Sequence, residues 1–350
     1  LNSNNIESRS ENSYLNSEKR ENYLFNSTIN NIEESDFIFL VGANPRYEAT
    51  ILNARIRKSY LQNKTKIVSL NNLGDLTYPY IHYTGNTKEI KEIVEDRHEI
   101  SDMIKNSKKP LIILGQSILS LKSGKYIFET IKNFLKKNNK ITTEWNALNL
   151  LSENASTVGS FDLGIYKTLD GYNPILKDLE DHKFEIVYLL GQDNLKFKKQ
   201  NEFIIYQGSH GDKGAEIADI ILPGAAYTEQ SAHYTNLEGK VQKAYKASYP
   251  PGESKEDWII INELSEKIKS KKLFKNKDEL EKSLMNYLKL NQQEKNNDNS
   301  ENIKFVNEKI SLNEIDYYYS NVIARSSKTM RECRSEKIKL KDSGTYGWYL

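Results

Sequence analysis

Apolar residues in this chain gather in short continuous runs, and the stretches between them carry a helical pattern. Phe37-Ile38-Phe39-Leu40-Val41 runs directly into Gly42-Ala43-Asn44-Pro45. A run without polar alternation reads as a strand buried on both faces, as in a parallel sheet. Asn44 is placed to cap the next helix, and Pro45 suits its first turn. Leu52, Ile56 and Tyr60 then share one face at i, i+4 and i+8, with Arg55, Arg57 and Lys58 off that stripe. The unit recurs. Residues 66–70 read as a second strand. Pro110 to Gly115 form another, followed by a helix with Ile127, Ile131, Phe134 and Leu135 on one face. Strands at 185–190, 203–206 and 217–222 end near Gly191, Gly208 and Pro223-Gly224. Strands alternating with helices predict an α/β fold: a mostly parallel sheet, flanking helices and right-handed crossovers. Its scaffold turns are Gly42, Pro45, Gly115, Gly191, Gly208, Pro223 and Gly224.

Past Pro250-Pro251-Gly252 the pattern turns helical. Ser254 followed by Asp257 resembles a capping box. Ile261, Leu264 and Ile268 are expected on one helix face, and Leu280, Leu284 and Leu288 on another. Residues 291–302 read as a polar linker. A last helix is predicted from Ser311-Leu312-Asn313-Glu314 towards Cys333. Residues 1–20, rich in Asn, Ser and Glu, read as a mobile polar arm. The expected organisation is an arm at 1–20, an α/β region at 21–250, a helical region at 251–333 and a tail at 334–350.

Composition narrows the classes. The chain has 350 residues, 37% of them hydrophobic, and a mean hydropathy of −0.70. That length suits one large core or two domains. Fifty basic and 48 acidic residues nearly cancel, which argues against a nucleic-acid partner. No apolar run approaches the roughly 18–20 residues of a membrane span, so direct membrane insertion is not expected. Residues 1–36 are too acidic for a typical transit peptide, and the start at Leu1 reads as processing or truncation. Cys333 is the single cysteine. It permits neither an internal disulfide nor a four-cysteine iron–sulfur site, and it reads as a reduced thiol.

Candidate chemistry is sparse. Gly208-Ser209-His210-Gly211-Asp212-Lys213-Gly214 follows a strand, but it is neither a dinucleotide fingerprint nor a Walker loop. A tight glycine turn linking two strands is the expected form. His210 beside Asp212 invites an acid–base reading. His82, His98, His182, His210 and His233 are scattered singly, without metal-ligand spacing. Arg46, Arg55, Arg57 and Lys58 form either a solvated helix face or a docking surface for an acidic partner. Tyr346, Trp348 and Tyr349 in the tail call for cover.

Several long segments carry a specific resemblance. In order they are NNIEESD leading into FIFLVGANPRYEATILNARIRKSYL, then Asp75-Leu76-Thr77-Tyr78, then KPLIILGQS. FIIYQGSHGDKGAEIADIILPGAAYTEQSAHYTNLEGKVQ, PPGESKEDW and IARSSKTMRECR follow. Together they resemble the C-terminal part of the largest iron–sulfur subunit of mitochondrial respiratory complex I, NADH:ubiquinone oxidoreductase. The match runs from about Asn22 to Cys333. The resemblance implies a molybdopterin-oxidoreductase-like α/β region that has lost its pterin, followed by a helical region. It implies no catalytic, cofactor-binding or metal-binding residue in this chain. The iron–sulfur clusters are expected on a separate or missing cysteine-rich N-terminal half, and FMN on a neighbouring subunit. The expected role is structural, supporting electron transfer from NADH to ubiquinone. Its expected setting is the matrix arm at the mitochondrial inner membrane, among the other matrix-arm subunits. Two rival readings remain: a fragment of an active pterin enzyme such as a formate dehydrogenase, and a free nucleotide-binding protein using Gly208 to Gly214.

Overall fold

The computed structural model describes residues 3–193, 195, 197–291, 303–313 and 315–342. The chain forms two compact units. The first takes Leu1–Pro174, Tyr234–Gln242 and Asn291–Glu314; the second takes Ile175–His233, Lys243–Leu290 and Ile315–Leu350. This partition does not follow the sequence-based boundaries at 20, 250 and 333. Most of the expected linker and the tail aromatics Tyr346, Trp348 and Tyr349 lie outside the described residues.

In the first unit β1 (Phe37–Val41) leads to α1 (Pro45–Glu48) and α2 (Thr50–Asn63), then β2 (Lys66–Ser69) and β3 (Ile81–His82). Next come α3 (Thr87–Val94), α4 (Glu99–Asn106), β4 (Pro110–Gly115), α5 (Gln116–Leu119), α6 (Gly124–Lys137), β5 (Leu148–Leu151) and α7 (Thr157–Asp162). The five strands lie in the order β3-β2-β1-β4-β5. All pairings are parallel, with Phe39 opposite both Val68 and Ile112. From β1 the chain steps outward in one direction to β2 and β3, and in the other to β4 and β5. Right-handed crossovers on opposite legs fall on opposite faces. Both faces are therefore covered. Phe37, Phe39 and Val41 pack with Ile90, Ile93, Ile104, Ile127 and Leu135; Ile38 and Leu40 pack with Leu52 and Ile56 on the other side. Every residue of β1 is buried. Each such side chain contributes roughly 1.5–3 kcal/mol by leaving water.

Three expectations need correction here. The helix read from Asn44 onward is two helices, broken at Ala49, whose φ of −152° is extended. Sequence reading passed over β3 and β5; β3 is two residues long, and β5 mixes Asn149 into its apolar run. The N-terminal segment is not a loose arm. Leu15 N–H donates to Gly171 O at 2.8 Å, and the Tyr14 hydroxyl donates to Glu129 at 2.8 Å. The buried Tyr14 ring lies between Phe128 and Tyr172. Arg9 is held by Glu7 and by the carbonyls of Ser13 and Lys167. Averaged composition conceals two apolar residues and one arginine that suffice to tie the segment down.

The second unit takes in α8 (Pro174–Glu180) after its first residue, then β6 (Ile186–Leu190), β7 (Phe203–Gly208), α9 (Lys213–Glu216) and β8 (Ile220–Pro223). The hairpin of β9 (Ala232–Thr235) and β10 (Val241–Ala244) that follows gives its turn and the adjoining residues, Tyr234–Gln242, to the first unit; α10 (Asp257–Lys269), α11 (Lys277–Asn291), α12 (Val322–Ser326) and α13 (Lys328–Asp342) come after it. β6, β7 and β8 form a parallel sheet in chain order. Its core is small: Leu189, Ile204 and Tyr206, with Leu195, Phe197, Ala215, Ile217 and Ala218 against them.

The expected capping box at Ser254 does not form. Ser254 donates to Pro251 O at 2.7 Å, and α10 starts without a side-chain cap. On α10 the buried positions are Ile260 and Asn262, whereas Ile261 and Ile268 are exposed. Asn262 accepts from the Leu273 and Phe274 amides and donates to Phe274 O, which fixes the turn into α11. On α11 Leu288 is buried and Leu280 and Leu284 are half-buried. The single last helix is instead a 3-10 turn at Tyr317–Tyr319 followed by α12 and α13. Ser311, Leu312 and Asn313 are not helical, and Glu314 lies outside the described residues.

Candidate functional site

Open parallel sheets bind ligands beyond the carboxyl ends of their strands, where the crossover direction reverses. In the first unit that point lies between β1 and β4. Gly42 turns there with φ +61°, and a Cβ on Gly115 would fall 2.0 Å from Gly42 O. A Cβ on Gly42 would fall 2.9 Å from Ile118 Cβ. Pro45 occupies the start of α1, and the Asn44 side chain accepts from Arg46 N–H at 3.2 Å. Crest backbone thus meets crest backbone, leaving no crevice between the two strands.

The rest of this crest is crossed by residues 303–313. Thr87 and Ser123 hydroxyls donate to Val306 O at 2.8 and 2.7 Å. Ile310 N–H donates to Gly85 O at 2.8 Å, and Asn71 donates to Ile310 O at 3.0 Å. Asn313 N–H reaches Ser117 Oγ at 2.9 Å, and its side-chain amide donates to Glu153 at 2.5 Å. The segment therefore bonds to groups following β2, β3, β4 and β5. Glu48, on α1, is close enough to Glu153 for the two carboxyl groups to repel. One Glu48 carboxylate oxygen accepts from Asn44 N–H at 2.6 Å, and the other is buried without a partner. Burial pushes this carboxyl up to about 7, against the Asn44 amide, and Glu153 adds to the rise. Burial raises Glu153 as well.

A cavity of about 430 Å³ opens between residues 152–158 and the first unit's share of the β9–β10 hairpin, with Ile29, Glu153, Tyr234 and Gln242 in its lining. The long motif around Asn236-Leu237-Glu238-Gly239-Lys240 forms the hairpin turn. Asn236 Oδ1 accepts from the Glu238 and Lys240 amides, and Gly239 adopts φ +83°. The turn is fastened at several points. Phe25 N–H donates to Leu237 O at 2.8 Å, Ile29 N–H to Glu238 at 2.5 Å and Thr235 N–H to Ser156 Oγ at 3.1 Å. Arg20 donates to Gly239 O at 2.8 Å while pairing with Asp162 at 2.8 Å, and Tyr23 donates to Asp162 at 3.0 Å. Asp162 is nearly inaccessible, so the ion pair is held within the protein. Ser156 Oγ is engaged by an amide, and among the described residues no base stands against it in the manner of an activated nucleophile.

In the second unit the glycine loop wraps its own tyrosine. A Cβ on Gly208 would lie 2.2 Å from the Tyr206 hydroxyl, and one on Gly214 2.9 Å from the Tyr206 ring. That hydroxyl bonds Asp193, with His210 O 2.9 Å away. His210 and Asp212 do not pair: His210 Nδ1 meets Ser209 Oγ at 2.9 Å, and Asp212 takes Arg325 Nε at 2.6 Å. Arg325 also lies 3.9 Å from Asp193, whose carboxyl burial pushes up. The helix after the loop, α9, has four residues. Gly191 turns with φ +61° after β6. Pro223 closes β8, and a Cβ on Gly224 would meet Asp257 at 2.9 Å.

The remaining candidates are dispersed. His98 caps α4, His182 pairs with the buried Glu202 at 2.5 Å, and His82 ends β3. Among the described residues no cluster of His, Cys, Asp and Glu is arranged to hold a metal. Cys333 is exposed. The basic cluster is satisfied internally: Arg46 by Asp75, Arg55 and Lys58 by Glu33, and Arg57 by Thr77 O. Sequence reading missed Arg20, Asp162, Tyr206 and Arg325. Long-range contacts distinguish Arg20, Asp162 and Arg325 from surface residues, and Tyr206 is marked by the glycine loop folded over it. It also took Asp257 for part of a cap, when it accepts from Gln207 and Gln230 at 2.8 Å each.

Among known proteins, the molybdopterin oxidoreductase family model matches residues 1–267. The chain is 40% identical over 330 residues to the NADH-ubiquinone oxidoreductase 75 kDa subunit of Reclinomonas americana, across 91% of this chain and 48% of that protein. It is 38% identical to an NADH-quinone oxidoreductase subunit of Rickettsia bellii, across 94% of this chain and 48% of that protein. It is 36% identical to the mitochondrial 78 kDa subunit of NADH-ubiquinone oxidoreductase of Candida albicans, across 91% and 46% respectively. The chain thus spans about half the length of these relatives.

Proposed function

We propose, from the premise that this chain belongs to the molybdopterin oxidoreductase family, that it is a structural, non-catalytic part of the largest iron–sulfur subunit of respiratory complex I. In this reading it carries no cofactor. The iron–sulfur clusters sit on a cysteine-rich N-terminal half, in this organism a separate polypeptide, and FMN sits on a neighbouring subunit. The chain braces the cluster-bearing half against other matrix-arm subunits at the mitochondrial inner membrane. Electron transfer from NADH to ubiquinone is then a property of the whole assembly. No helix among the described residues is long and apolar enough to cross a membrane, in keeping with a peripheral arm.

The observation that carries this reading is how the two sheet crests are filled. The pterin implied by the family name does not fit at either of them. The first is closed by Gly42 against Gly115 and crossed by residues 303–313. The second is filled by Tyr206, with Asp212 and Arg325 joined beside it. Fold alone does not imply activity, and here the ligand positions are spent on the chain's own contacts.

The test is mass spectrometry with cross-linking on the native assembly. The expected result is this chain within a membrane-extracted, NADH-oxidising complex, cross-linked to a separate cysteine-rich polypeptide. Recovery of the chain alone, or with molybdenum or tungsten and a pterin, would overturn the proposal. The latter would favour an active pterin enzyme. Saturable ATP or NAD binding by the isolated chain, lost in Gly211→Val, would favour a nucleotide-binding protein.

A further inference from the structure

The sheet of the second unit is wound in one direction only. β6, β7 and β8 lie side by side in chain order, all parallel. Right-handed crossovers between strands that advance one way all land on the same face. They do so here: Leu195 and Phe197 from the β6–β7 connection, and Ala215, Ile217 and Ala218 from the β7–β8 connection, all pack with Leu189, Ile204 and Tyr206. The register puts Ile186, Tyr188 and Leu190 of β6 with Phe203, Ile205 and Gln207 of β7 and Ile220 and Leu222 of β8 on the opposite face. Its carboxyl end is closed by a polar clasp, Gln207 to Asp257 to Gln230. The rest is bare. Ile186 is 65% exposed, Leu190 51%, Phe203 43% and Ile220 44%.

A parallel sheet with an apolar face left open over part of its area is rare, because βα crossovers normally clad both sides. The first unit shows the remedy: it steps outward from β1 in both directions and covers both faces. The second unit has taken only the steps on one side of β6. The missing layer must come from strands added beyond β6, whose crossovers would fall on the bare face. β6 is an edge strand, open to such pairing. At the other edge Lys255 already bonds beside Pro223 and Ala225.

We infer that the β6 edge and the bare face of Ile186, Leu190, Phe203 and Ile220 are the docking surface for a βα segment from the polypeptide that makes up the other half of the relatives. The inference rests on the function proposed above. Each relative carries about as much polypeptide again as this chain matches, 48% of its length being covered. The occupant pairs a parallel strand with β6 and lays an apolar helix face over the sheet.

Two measurements test this. Hydrogen exchange by mass spectrometry compares the isolated chain with the chain in its membrane-extracted assembly. Amides 186–190 should exchange at least about tenfold more slowly in the assembly, as newly paired strand amides do. Equal rates in both would overturn the inference, as would β6 amides protected like those of β7 in the isolated monomer. In parallel, the tagged whole chain is returned to its source cells as wild type, Ile186→Asp and Leu190→Asp, with Ile51→Asp on the exposed face of α2 as control. Both face variants should recover at least about tenfold less of the cysteine-rich polypeptide than wild type, and the control should match it. Wild-type recovery by Ile186→Asp and Leu190→Asp sinks the docking face and leaves the proposed function standing. A wild-type chain that recovers no cysteine-rich polypeptide sinks the function and the occupant together. Should a variant fail to fold, the exchange comparison on the wild type still decides.

Discussion

A carboxyl group with one oxygen buried and unpartnered, as in Glu48, gives the fold a defined response to pH. Its folded value of about 7 lies above the ordinary 4.5. Below about 4.5 both folded and unfolded chains hold the proton. Between there and 7 the unfolded chain releases it while the fold retains it. Stability of the first unit should therefore fall as pH rises through that window, by roughly 3 kcal/mol, and level off above it. Glu48→Gln keeps an acceptor for the Asn44 amide and removes the titration. Urea denaturation should show the variant gaining on wild type between pH 5 and pH 8. A slope as steep as wild type in the variant would contradict the assignment. Glu153, also raised by burial, leaves a smaller slope behind. A second residue-scale prediction concerns two glycines. Gly115→Ala drives a methyl group into Gly42 O and should cost about 3 kcal/mol in thermal melts. Gly211→Ala meets nothing within 4 Å and should stay within about 0.5 kcal/mol. Gly42 and Gly115 stood out in the sequence because each ends an apolar run. Glu48 did not, because nothing in the sequence around it signals that one of its carboxylate oxygens is buried without a partner.

Among the elements, strands with continuous apolar runs were legible, and so were helices with a full apolar stripe. β1 and β4 match their predicted spans. Elements whose identity depends on tertiary contacts were not legible. The N-terminal segment reads as polar, yet Tyr14 and Leu15 anchor it. Residues 311–313 read as a helix start, but bonding to Ser117 and Glu153 takes precedence over local propensity. The hairpin lies between. Its motif was conspicuous in the sequence, but its role as a fastened turn emerges only from its partners. Arg20 bridges Asp162 and Gly239 O. Removing one member of a largely buried ion pair strands the other, so Arg20→Ala should destabilise the first unit by about 3 kcal/mol. Amide exchange at residues 236–240 should accelerate along with it. Unchanged exchange there would mean the turn is held by its remaining bonds alone.

On the scale of the whole molecule the two units are unequal. The first has apolar clusters on both faces of a five-stranded sheet; the second has one small cluster beneath three strands. Stability follows buried apolar area, so the units should not melt together. Calorimetry on the isolated chain should resolve two transitions, with the second unit unfolding first. A single cooperative transition would contradict the contrast drawn between the cores. The α/β class and the parallel sheets were legible from alternation alone. Division into units was not, because each is assembled from separated stretches of sequence.

That interleaving bears on the order of synthesis. A chain emerging from the ribosome completes all five strands of the first sheet by Leu151. Its hairpin turn arrives only with Asn236 to Lys240, and the segment crossing its crest only with residues 303–313. The bond from Thr87 to Val306 spans 219 residues. Pairings that distant in sequence form late, since a long loop must close before they bring any gain. The crest and the hairpin seat of the first unit therefore stand open on the nascent chain long after its sheet is complete, and they close only once residues 236–240 and 303–313 have emerged.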